Sequence, residues 1–74
     1  MGNFEVKQEI KDIIKPGRKV RLLKPWKPKL IHIRAIVDDE RVVYKFWSNR
    51  SWHYAIEWIY IFQIDYESGK LTKV

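Results

Sequence analysis

Seventy-four residues with a formal charge of +6 and a pI of about 9.7 make one small basic domain, because chains near this length are already marginal for building a single core. Cysteine is absent, which excludes disulfides, thiolate nucleophiles and cysteine-based zinc sites together. Hydrophobic residues at 46% and aromatics at 15% set the chain apart from disordered compositions, and the aromatics must carry much of the core.

Residues 1–15 are expected to form a short helical segment. Asn3 is placed to cap it, and Val6, Ile10, Ile13 and Ile14 follow the stripe of one buried helix face before Lys15-Pro16-Gly17 ends it. This segment has charges throughout and no apolar run long enough for a secretory leader. Nothing in the chain approaches the ~20 apolar residues that span a bilayer, so the expectation is a cytoplasmic protein without a membrane partner.

After Gly17 the apolar period changes to two. Lys19 to Lys24 reads as a strand with Val20 and Leu22 on one face and Lys19, Arg21 and Leu23 on the other. Lys24-Pro25-Trp26-Lys27-Pro28-Lys29 is a stiff loop, since its prolines remove ladder donors and push their predecessors to extended backbone. Leu30 to Asp38 resumes the pattern, with Ile31, Ile33, Ala35 and Val37 facing one way and His32, Arg34 and Ile36 the other. A turn at Asp38-Asp39-Glu40 leads into Arg41–Trp47, where Val42, Tyr44 and Phe46 oppose Val43, Lys45 and Trp47. Ser48-Asn49-Arg50-Ser51 is the next turn, with Asn49 suited to positive φ. The even positions from Trp52 to Tyr66 are all aromatic or aliphatic, which predicts two strands bent near Glu57 with those side chains in the core. A turn at Gly69 and a short strand over 71–74 close the chain.

The fold class is therefore mainly β: a small SH3-like barrel or a strongly curled antiparallel sheet of five to six strands with a short N-terminal helix, in one domain over 1–74 with the β part from 18 to 74. The segment Ile14-Lys15-Pro16-Gly17-Arg18-Lys19-Val20-Arg21-Leu22 resembles the opening of SH3-like small barrels of the Tudor and KOW groups, over at most Ile14 to Trp47. The second glycine-led turn of the KOW pattern is missing. The resemblance implies a binding domain for nucleic acids or peptides, without choosing between them.

Charge placement favours nucleic acid. Between Ile13 and Val37 there is no acidic residue, whereas Lys15, Arg18, Lys19, Arg21, Lys24, Lys27, Lys29 and Arg34 all fall there. Cations neutralise phosphates and an exposed indole offers a plane on which an unpaired base stacks. The expected contact residues are Arg21, Lys24, Trp26, Lys27, Lys29, His32, Arg34, Lys45 and Trp47. An acidic protein partner, as for a phage or mobile-element accessory factor, is the alternative, and the expected assembly is a monomer or weak homodimer. The three isolated glycines form no phosphate loop, Asp38, Asp39 and Glu40 lack further metal ligands, and His32 and His53 lack a nucleophile. No cofactor, metal or catalytic residue is expected.

Overall fold

The computed structural model describes residues 5–74, so the Asn3 cap lies outside the described residues. The order is α1 (Gln8–Ile13), β1 (Lys19–Leu22), β2 (Leu30–Val37), β3 (Arg41–Ser48), β4 (Ser51–Trp58), α2 (Ile59–Glu67) and β5 (Leu71–Lys73). The five strands form one antiparallel sheet in the order β4-β3-β2-β1-β5, which gives the mainly β class expected. Among the described residues no helix is long and apolar enough to cross a membrane.

Both helices pack on one face of the sheet. Ile10, Ile13 and Ile14 from the first helix and Ile59 and Phe62 from α2 meet Val20, Leu22, Ile31, Ile33, Val42, Tyr44 and Leu71 in a single cluster, with Val6 packed against it. The sheet thus has an inner face filled by helices and an outer face over which the described residues place no layer. The helices also clasp each other: the Lys7 backbone N–H donates to the buried Gln63 Oε1 at 2.8 Å, and Lys7 Nζ meets Glu67 at 2.6 Å. Helix α1 stops because Pro16 cannot continue it.

The second half of the chain differs from its expected strand pair. Only β4 is a strand, and 59–67 is helical. Ile59, Phe62, Gln63 and Tyr66 recur at helical spacing, and the first three are buried. The same stretch also alternates, so both periods are present, and the helix wins because it aims Phe62 into the core. The α2 helix ends in a Schellman motif: Gly69 has φ +76, its N–H donates to Tyr66 O at 3.1 Å, and Lys70 N–H donates to Asp65 O at 2.7 Å.

The β3–β4 turn holds two residues, Asn49 and Arg50, both at positive φ, as a hairpin of type I′ requires. It pairs Ser48 with Ser51 and Trp47 with Trp52. In β2 a bulge lies between Ile33 and Ala35, and it corrects the expected alternation. Beyond it Ala35 pairs with Val43 and Val37 with Arg41 on the outer face, while Ile36 joins the inner one.

Candidate nucleic-acid interface

The outer face is built from alternate residues of four strands. Ladder pairing lines up Lys19, His32, Lys45 and Tyr54 in one row across β1, β2, β3 and β4. The neighbouring rows hold Arg21 beside Leu30, Trp47 beside Trp52, Val43 beside Ile56 and Arg41 beside Trp58. Among the described residues this face carries no carboxylate. Acids occupy the first helix and Glu5 just before it, the 38–40 turn and α2, and Glu57 alternates to the inner side, paired with the buried Val42.

The aromatic side chains of β4 are therefore outside, which corrects their assignment to the core: Trp52, Tyr54, Ile56 and Trp58 are all exposed, and of the even positions from 52 to 66 only Phe62 is buried. Trp52 is the hub. Lys45 Nζ lies 4.3 Å from its ring centroid, and the His32 and Trp47 rings meet it edge-on at 5.2 and 5.3 Å. The Arg41 guanidinium lies 4.6 Å from the Trp58 centroid. Cations over indoles at these distances are favourable contacts that also hold each cation against the sheet.

Beside this platform an open cleft of about 670 Å³ is lined by the proline-flanked loop, with Trp26 and Lys29, and by His32, Phe46 and Trp47. Trp26 is 79% exposed and Trp47 59%, so neither indole is part of the core. The loop is tied down on both sides of Trp26. Lys24 Nζ meets the buried Asp65 at 2.9 Å, and Lys27 Nζ lies 3.9 Å from Glu57. With these anchors and Pro25 fixing its predecessor, the Trp26 indole projects from a stiff base.

Of the nine expected contact residues, the structure brings Arg21, His32, Lys45 and Trp47 onto one face and places Trp26, Lys27 and Lys29 at the adjoining cleft. Lys24 stands apart, because its ammonium is already paired with Asp65 on the inner side. Arg34 is exposed at the bulge. Sequence reasoning misses Trp52, Tyr54, Trp58, Arg41 and Lys19 as members of this surface. The signal for the β4 aromatics is the two-residue turn, which obliges Trp52 to share the face of Trp47.

His32 sits among cations. Burial and then the nearby Lys19 and Lys45 hold its imidazole below the usual histidine range. His53 lies on the other side, stacked on Phe46 at 5.4 Å with Nε2 2.9 Å from Ser48 O. Ser51 Oγ lies 3.1 Å from the same Nε2, so the ring is tied to the turn by two contacts. The two histidines are thus on opposite faces and do not form an acid/base pair. Among the described residues no group of three potential ligands is arranged to hold a metal ion.

Comparison with protein-family models, with curated proteins and with solved structures finds no match. The functional reading accordingly rests on the geometry of the face and its cleft.

Proposed function

We propose that this domain binds single-stranded nucleic acid across its outer sheet face, without catalysing a reaction. The observation that supports the reading is an acid-free face on which indoles alternate with cations, namely Lys19, Arg21, Arg41, Lys45, Trp47, Trp52 and Trp58. A single strand exposes bases for stacking on Trp26, Trp47 or Trp52, each stack contributing about 1–3 kcal/mol, whereas a duplex keeps its bases away from such a surface. Phosphates then lie against the four cations.

Titration of the intrinsic tryptophan fluorescence with oligonucleotides at low salt tests this. Quenching by single strands is expected at about 10⁻⁴ to 10⁻⁶ M, with log K falling against log salt at a slope near −3 for four phosphate contacts at roughly −0.7 each. Trp26→Ala should weaken binding by about 1–3 kcal/mol and leave the unfolding midpoint in place, since the indole is outside the core. Absence of any fluorescence or anisotropy change with every oligonucleotide removes the reading.

His32 provides a second test. A phosphate beside it stabilises the imidazolium, so the depressed pKa rises on binding and the complex takes up a proton. Affinity should therefore increase as pH falls through the histidine range, and the increase should vanish in His32→Gln. An NMR titration of the ring in which oligonucleotide leaves the pKa unmoved or lowers it counts against a phosphate at this position.

An acidic protein partner is the competing reading, favoured by the exposed apolar Val37 and Ile56 on the same face. A host protein retained on the immobilised domain after nuclease treatment, and displaced by neither DNA nor RNA, selects it.

A further inference from the structure

The sheet has two edges, and they are unlike. β5 is three residues long, preceded by Lys70 and ending on Lys73, a short charged edge of the kind that discourages pairing. β4 runs for eight residues in unbroken register with β3 and contains no lysine, no proline and no bulge. Its outward backbone groups follow from the hairpin. Ser48 and Ser51 flank a two-residue turn and exchange hydrogen bonds, so His53, Ala55 and Glu57 also bond to β3. Trp52, Tyr54 and Ile56 consequently direct their N–H and C=O groups to the open edge.

We infer that β4 pairs antiparallel with β4 of a second copy about a two-fold axis through Ala55, joining two sheets into one of ten strands. The inference is independent of the ligand proposed above. In antiparallel pairing, opposed residues share a face, so an axis normal to the sheet leaves registers centred on a single residue. Centring on Ala55 uses the strand from Trp52 to Trp58. It sets Tyr54 opposite Ile56 and Trp52 opposite Trp58 of the second copy, all four being exposed in the single chain. It also sets His53 opposite Glu57, the strand's one acid, where centring on Glu57 would oppose two carboxylates. A groove of about 200 Å³ lined by Arg41, Ile56, Glu57 and Trp58 lies where Trp52 of the second copy arrives. Each contact away from the axis occurs twice, as a closed two-fold interface requires.

The chain has no cysteine, which makes the register directly readable. Ala55 falls at a pair without mutual hydrogen bonds, where Cα atoms approach to about 4.5 Å, inside the range a disulfide bridges. Ala55→Cys should cross-link under mild oxidation, with Lys11→Cys, on the exposed side of the first helix, as the collision control. Sedimentation of the unmodified chain should give a mass that rises to the dimer with concentration. Ile56→Lys, which puts a charge on the edge at a position outside the core, should shift that curve at least tenfold toward monomer with an unchanged circular dichroism spectrum. A monomer at every concentration, or a dimer in which Ala55→Cys cross-links no faster than the control, overturns the inference. Oligonucleotide binding by a strictly monomeric chain would overturn it while leaving the proposed function in place.

Discussion

Phe62→Ala is expected to remove about 3–5 kcal/mol of stability, a large share of what a chain of this length possesses at roughly 0.05–0.15 kcal/mol per residue. Phe62 is buried on α2, and its ring meets Tyr44 edge-on at 5.9 Å at the centre of the cluster shared by helices and sheet. Truncation leaves a cavity bounded by both layers, and the sheet cannot collapse into it without breaking ladder bonds. Urea unfolding followed by circular dichroism measures the loss. Ile64→Ala supplies the contrast. On a strand Phe62 and Ile64 share a face, but on the helix Ile64 is exposed, so its truncation should cost about 0.5 kcal/mol or less. Equal costs for the two changes would contradict the helical assignment of 59–67.

The second large effect is expected at Asp65. Its carboxylate and Lys24 Nζ stand 2.9 Å apart with 8% and 19% of their side chains exposed, so most of the hydration of both charges is replaced by the other. Asp65→Ala strands the ammonium in that setting and should cost about 3 kcal/mol, the low end for a broken buried pair because water still reaches Lys24. The loop that carries Trp26 loses its anchor at the same time. Replacing both partners by apolar residues, Lys24→Met with Asp65→Leu, should recover most of the loss, since no lone charge remains. A double variant as unstable as Asp65→Ala alone would mean that the cost lies in packing rather than in the uncompensated charge.

Local chemistry made several elements of the chain readable. The stripe Ile10, Ile13, Ile14, the proline stop after it, the alternation of Val20 with Leu22 and of Val42 with Tyr44, and the turn glycine at 69 each have one physical solution, and the structure adopts it. The bulge at Arg34 was not readable, because an extra residue leaves no mark in composition and declares itself only as a change of register against β3. The run from Trp52 to Tyr66 misleads for a different reason. Apolar content argues for burial, yet two short helices already fill the inner face, and the two-residue turn fixes Trp52 opposite an outward Trp47. Register overrides hydrophobicity there, leaving four large side chains in water. For the candidate interface, Trp26, His32, Lys45 and Trp47 were legible from loop composition and strand parity. Lys24 was not separable from its neighbours, since its partner Asp65 lies 41 positions along the chain.

The confinement of carboxylates to the helices and the segment leading into the first, the 38–40 turn and the inner side gives the molecule an electric polarity in addition to its net charge of +6. A net charge draws in a polyanion from every direction alike, but a polar distribution also exerts a torque. At physiological ionic strength the field extends about 8 Å, farther than any hydrogen bond, so a collision partner of opposite sign is rotated toward the sheet before a single side chain has touched it.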